Sequence, residues 1–104
     1  MTESIWFVEP NLEQIQAGMK DGANGSLGIE CTEIGPDYIR GTMPADARTF
    51  QPMGLIHGGA NVLLAESLGS MGANMVVDTS KYYCVGQEVN ANHVRGVRTG
   101  LVTA

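Results

Sequence analysis

Between Thr49 and Val77 the chain carries two ionisable side chains, His57 and Glu66, in a stretch that reads FQPMGLIHGGANVLLAESLGSMGANMVV from Phe50 onward. A carboxylate set in a long apolar segment is costly unless it is paired, neutralised or used. One use would be attack on a carbonyl group, because the same stretch supplies a second feature upstream. His57-Gly58-Gly59 follows a proline-containing loop and opens a helix. The N–H groups of a helix's first turn have no intrahelical acceptors, and at glycine no side chain shields them, so they can polarise a carbonyl or hold an oxyanion. The alternatives are structural: Glu66 as a buried acid satisfied by Ser67, Ser70 or a backbone group, and His57 as a helix-start residue bonded to its own turn.

The element that must position both features is the helix itself. At about 100° per residue, Leu64, Leu68, Met71 and Met75 fall in one narrow stripe, which is the core face. Glu66 lies almost opposite, flanked by Gly59, Val62, Gly69, Ser70 and Ala73. Small residues there admit a ligand or a second backbone, and Ser70, one turn on, can share a hydrogen bond with the carboxylate. Each interior glycine costs roughly 0.5 to 1 kcal/mol relative to alanine, so the helix gives up stability for access on the Glu66 side. From Gly58 to Glu66 the helix rises roughly 12 Å. One carbonyl cannot reach both ends. If Gly58 polarises a carbonyl that Glu66 attacks, the two come from different copies, which predicts an obligate dimer with antiparallel helices and two shared sites.

A length of 104 residues suits one small domain. The 43% hydrophobic content is that of a globular protein, with a core small enough that an isolated monomer is marginal. A net charge of −5 argues against bulk binding of nucleic acid or anionic membranes, while leaving room for one local basic pocket. Cys31 and Cys84 form no metal-ligand or redox spacing and read as buried thiols in a cytoplasmic protein. The opening MTESIWFVEP has acids where a secretory signal has basic residues. Leu55 to Val77 is long enough to span a bilayer, but Glu66, His57, Asn61 and Asn74, with no flanking Lys/Arg cluster, argue against it.

Around the central helix the periodicity predicts an α+β arrangement. Residues 10 to 22 read as a short helix with Leu12, Ile15 and Met19 on one side and Asp21-Gly22 closing it. After a Gly/Asn/Ser linker, LGIECTEIG alternates as a half-buried strand, Gly35-Pro36-Asp37 turns, and YIRGTMPA returns antiparallel. Asp78 to Lys81 is a polar turn, and YYCVGQEVNANHVRGVRTGLVTA reads as a long strand and the beginning of another, with Tyr83, Val85, Val89 and Ala91 on one face. His93 and Arg95 continue that face. They are either solvated strand-end residues or a phosphate site, with the Arg fork as donor.

RTFQPMGLIHGGANVLLAES, followed by NANHVR, resembles the hotdog-fold acyl-CoA thioesterases, in the branch of the phenylacetate-pathway and 4-hydroxybenzoyl-CoA enzymes. Within it the chain is most similar to the 1,4-dihydroxy-2-naphthoyl-CoA thioesterases of menaquinone synthesis and the related proofreading enzyme of enterobactin synthesis. The similarity runs from about Leu27 to the C-terminus. It implies one hotdog domain over residues 1–104, an antiparallel sheet wrapped around one long central helix, and a site built across a homodimer or dimer of dimers. It also implies hydrolysis of an acyl-CoA thioester with an aromatic acyl group of the hydroxybenzoyl, phenylacetyl or dihydroxynaphthoyl type.

Carried over by position, the resemblance makes Glu66 the nucleophile or the base for a water, and Gly58 the carbonyl-polarising N–H. His57 and Gln51 then stand beside the thioester, Ser70 orients the carboxylate or water, and His93 and Arg95 meet the CoA phosphates. Gln51, next to Pro52, is alternatively a plain turn residue. No metal and no cofactor is implied, coenzyme A entering only as part of the substrate. The other class of reading is a non-catalytic or acyl-carrier-directed hotdog module that binds a thioester ligand. Family members continue for at least two further strands, whereas this chain stops at Leu101-Val102-Thr103-Ala104. The expectation is therefore a fold truncated at the C-terminus, with part of the Leu/Met stripe uncovered and an unpaired sheet edge.

Overall fold

A computed structural model describes residues 3–104. In chain order the elements are α1 (Leu12–Gly18), α2 (Gly22–Leu27), β1 (Glu30–Ile34), β2 (Ile39–Pro44), α3 (Gly58–Val76) and β3 (Leu101–Thr103). The strands form one antiparallel sheet in the order β1-β2-β3. Cys31 faces Gly41 across β1 and β2, and Met43 faces Val102 across β2 and β3.

The expected helix and hairpin are present, with shorter bounds. Asn11 caps α1 by accepting the Gln14 N–H through its side chain, and α1 ends at Gly18. What the sequence suggested as a Gly/Asn/Ser linker is instead the short helix α2, which Gly28 closes in the left-handed conformation at φ 72°. That closure frees the chain to enter β1, as glycine does at helix C-termini.

The core sits between the sheet and α3. Cys31 and Met43 are fully buried from the strands, and Ala60, Leu64 and Leu68 are buried from the helix. Gly41 makes the close approach possible: a Cβ there would fall 2.9 Å from a Leu68 methyl and 2.8 Å from the Glu30 carbonyl oxygen. Met71 packs on the edge of this cluster. Thr49 is the buried polar residue of the connection into α3, and its hydroxyl donates to the Pro44 carbonyl at 2.6 Å. The N-terminal segment straps across the far end, where Trp6 Nε1 donates to Gly35 O at 2.7 Å and Phe7 N to Met75 O at 2.8 Å.

The largest departure from the sequence reading follows α3. Residues 82–98 form no sheet strand, and Tyr83, Val85, Val89 and Ala91 are exposed where a shared buried face was expected. Strand geometry needs a neighbouring backbone to receive its N–H and C=O groups. Among the described residues β3 alone pairs with the hairpin, so this segment has none. It instead runs along α3, tied at Cys84 and at Val97.

Both cysteines are unpaired, but only one is a buried thiol as expected: Cys31 is wholly enclosed, while Cys84 is half-buried. Burial pushes the Cys31 thiol above its ordinary value, and its weak bond to the Glu33 carbonyl only partly opposes this. A raised pKa leaves less thiolate at a given pH, and the thiolate is the form that reacts. Native protein treated with iodoacetamide at about pH 8 should therefore label at Cys84 first, with Cys31 reacting only after denaturation. Equal labelling of both by peptide mass mapping would contradict this packing.

Candidate active site

α3 opens at Gly58, and the structural alternative for His57, a bond to its own turn, is present. His57 is the N-cap, in extended conformation, and its Nδ1 accepts the Gly59 N–H at 2.9 Å. With Nδ1 accepting, the ring proton sits on Nε2, so the exposed edge of His57 is a donor. The His57 N–H is held by Thr49 O at 2.7 Å, and its carbonyl receives the Ala60 N–H at 2.9 Å. Gly58 N has no acceptor among the described residues. Its small size is used, because a Cβ at Gly58 would lie 2.8 Å from Nε2 of His93. His93 thus stands against the donor turn.

Gln51 belongs to the tight loop that delivers the chain to this turn. Its backbone N–H donates to Leu55 O at 2.8 Å, and Phe50 bridges Ile56 across the loop. The Gln51 side-chain oxygen accepts from Met53 N, leaving the side-chain NH2 as the free donor end. The turn role considered for Gln51 is thereby present alongside any other.

Glu66 is half-buried on α3, on the face opposite buried Leu64 and Leu68. It does not enter the core. Neither serine satisfies the carboxylate: Ser67 Oγ instead donates to Asn24 Oδ1 at 2.6 Å, and Ser70, though one turn away, has no hydrogen bond to Glu66 among the described residues. What lies against the carboxylate is the Gly86 backbone, so close that a Cβ at Gly86 would overlap Glu66 Oε1. On the same side of the helix, space at Gly69 is open.

Further along the segment, Val89 to Arg95 and the helix residues Asn61, Val62 and Ala65 enclose a cavity of about 300 Å³. Arg95 lines it together with His93, and makes no salt bridge among the described residues, whereas Arg40 and Arg48 are paired with Glu33 and Asp46. A second hollow of about 280 Å³ opens on the other side of the donor turn, between His57, Phe50, Leu63 and Leu27.

The structure therefore gathers Gly58, His57 and His93 at the helix start and Glu66 with Gly86 further along the same helix. Gly58 and Glu66 are separated by roughly 12 Å of helix rise, as the sequence required. Two residues that shape the Glu66 end escaped the sequence reading. Gly86 was a signal available in principle, since an isolated glycine in a strand-like run marks a close approach. Asn74 continues the spacing of Glu66 and Ser70 by one more turn, and its amide bonds Cys84.

No helix among the described residues is long and apolar enough to cross a membrane. The described residues contain no group of His, Cys, Asp and Glu side chains able to hold a metal ion.

Comparison with known proteins gives a consistent picture. The family model of the thioesterase superfamily matches residues 53–104. A crystal structure of a mutant thioesterase from Pseudomonas aeruginosa superposes with a TM-score of 0.93 at 53% identity, covering 96% of this chain and 72% of that one. The 1,4-dihydroxy-2-naphthoyl-CoA hydrolase of Escherichia coli K12 is 46% identical over 98 residues, 94% of this chain and 71% of its own length. A proofreading thioesterase from Cronobacter turicensis is 44% identical over 98 residues, 94% of this chain and 71% of its own.

The cap at His57 generates a measurable expectation. Removing an N-cap acceptor typically costs about 0.5 to 2 kcal/mol, so His57→Ala should lower unfolding stability by about 1 kcal/mol in urea titration. An unchanged midpoint would mean that the Gly59 N–H finds water at no loss.

Proposed function

The chain belongs to the thioesterase superfamily and has its hotdog fold, and on that premise we propose that it hydrolyses an aromatic acyl-CoA thioester to the free acid and CoA. The observation that carries this reading is Glu66: a carboxylate turned away from the core, without a hydrogen-bond partner among the described residues, on a helix that begins with a free glycine donor. The aromatic acyl group is supported by the relative that acts on 1,4-dihydroxy-2-naphthoyl-CoA, which would make menaquinone synthesis the setting.

In this reading the thioester carbonyl accepts the Gly58 N–H, and the His57 Nε2–H and the Gln51 side-chain NH2 stand beside it. Glu66 either attacks the carbonyl carbon, expelling the CoA thiolate to leave an anhydride that water opens, or takes a proton from a water that attacks directly. Both routes add one water across the C–S bond. Ser70, one turn beyond, orients the water or carboxylate. Arg95, with His93 beside it, meets the CoA phosphates, and its lack of an ion pair supports that role.

Because Gly58 and Glu66 stand too far apart on one helix to share a carbonyl, each site takes its glycine donor from one protomer and its carboxylate from a second, in a homodimer or dimer of dimers. Two unpaired cysteines fit a cytoplasmic protein. The second reading is a non-catalytic or acyl-carrier-directed hotdog module that binds a thioester ligand.

Thiol release from benzoyl-CoA and naphthoyl-CoA analogues decides between catalysis and binding alone. Glu66→Gln should lower kcat by about 100-fold to 10,000-fold while still binding substrate, as expected for a group acting on the reacting atoms. Turnover equal to wild type in that variant would remove the enzymatic reading. Arg95→Ala should instead raise KM about tenfold with kcat nearly unchanged, as for a contact made equally in ground and transition states. A fall in kcat alone would assign Arg95 to the chemistry.

A further inference from the structure

Residues 83–97 depend on few anchors. Among the described residues, their main-chain hydrogen bonds to the rest of the chain lie at two places, Cys84 and Val97. Val97 O accepts the Ile56 N–H at 2.9 Å, beside the donor turn. At the other end both main-chain groups of Cys84 are taken by one side chain: Asn74 Oδ1 accepts the Cys84 N–H at 2.7 Å, and Asn74 Nδ2 donates to Cys84 O at 2.9 Å. The amide thus does for Cys84 what a neighbouring strand would do, exchanging a donor and an acceptor with a single residue. Its second Nδ2 hydrogen is also committed, to Ser70 O at 2.8 Å, which locks the amide to α3 and fixes which way it faces.

Two residues beyond Cys84 is Gly86, whose backbone rests on the Glu66 carboxylate. Glu66, Ser70 and Asn74 are spaced a turn apart on α3, so the clasp and the carboxylate occupy one side of the helix. A carboxylate with no hydrogen bond of its own is held only by what packs against it, and here that is a backbone whose nearest anchor is Asn74.

We propose that Asn74 is a positioning residue for Glu66, clamping Cys84 to α3 so that the Gly86 backbone confines the carboxylate to one orientation. Asn74 touches no reacting atom. This deepens the thioesterase reading and rests on it. Losing the clamp releases the segment at the Glu66 end while leaving the Val97 anchor, the core and the donor turn in place. Arg95 lies two residues from the retained Val97 anchor, so the effect falls mainly on the chemical step.

The test uses the full-length protein with benzoyl-CoA as probe, and compares wild type, Glu66→Gln, Asn74→Ala and Gly86→Ala. A misplacement of about 1 Å can cost up to about 100-fold in rate, so Asn74→Ala and Gly86→Ala should each lower kcat by about tenfold or more with KM within about twofold. Asn74→Ala should also speed amide hydrogen exchange at Cys84, a readout independent of turnover. Gly86→Ala keeps the clamp and displaces the carboxylate directly, so it tests the same contact if Asn74→Ala does not fold. Unchanged kcat in either folded variant, or a loss confined to KM, would overturn the proposal, as would unaltered exchange at Cys84. Glu66→Gln as active as wild type would instead show the function reading to have failed, and the clamp's catalytic role with it.

Discussion

The seam between α3 and β2 is the contact on which the rest of the molecule depends. Leu68 reaches Gly41 at a distance that no larger residue in β2 would allow, and Leu64 and Ala60 continue the same line toward the helix start. Once that stripe is pinned to the sheet, helical geometry leaves no freedom about the opposite face. Glu66 must look away from the core, Gly69 must be open, and Gly58 must lead the helix, its N–H without an acceptor among the described residues. The carboxylate is available for chemistry because hydrophobic burial elsewhere on the same helix fixes where it points.

That rigidity has a consequence for assembly. A helix cannot bend to bring its own first turn to its own third. A single carbonyl served by both Gly58 and Glu66 would require a second copy; separately, the segment after α3 exposes Tyr83, Val85, Val89 and Val94. The dimer belongs to the functional proposal, and its physical basis is the length of one element.

Periodicity exposed the parts of the fold that local forces determine. The helix from Gly58, its Leu stripe and the hairpin around Gly35 to Asp37 were all legible, because burial on one face writes itself into spacing and turns need particular residues. Helix α2 was hidden by composition: Gly22, Asn24, Gly25 and Ser26 are poor helix formers, and their conformation is set by Gly28 and by the Ser67 bond to Asn24. Residues 82–98 alternate like a strand, yet alternation records only which side chains are apolar and says nothing about whether a neighbouring backbone is there to pair. The site divided along the same line. Glu66, His57 and Gly58 stand out from their apolar neighbours, whereas the roles of Asn74 and Gly86 rest on contacts between segments remote in spacing. Such contacts leave no period to read.

The same division explains how a helix with so many small residues remains intact. Gly58, Gly59, Gly69 and Gly72 all lie in α3, and interior glycines cost roughly 0.5 to 1 kcal/mol each relative to alanine. A fully buried Leu contributes about 1.5 to 3 kcal/mol on transfer from water, so Leu64 and Leu68 together outweigh the interior pair Gly69 and Gly72. Stability is therefore concentrated on one face, with the proposed reactive carboxylate on the other, joined by a single rigid backbone. Gly72 shows how closely the two are interleaved, because a Cβ there would stand 3.5 Å from the Ile39 side chain, in ordinary contact, while one at Gly69 would meet only open space. Bulk added at Gly69 would leave the core untouched and fill space on the Glu66 side, so the helix keeps its openness there and its packing where the sheet needs it.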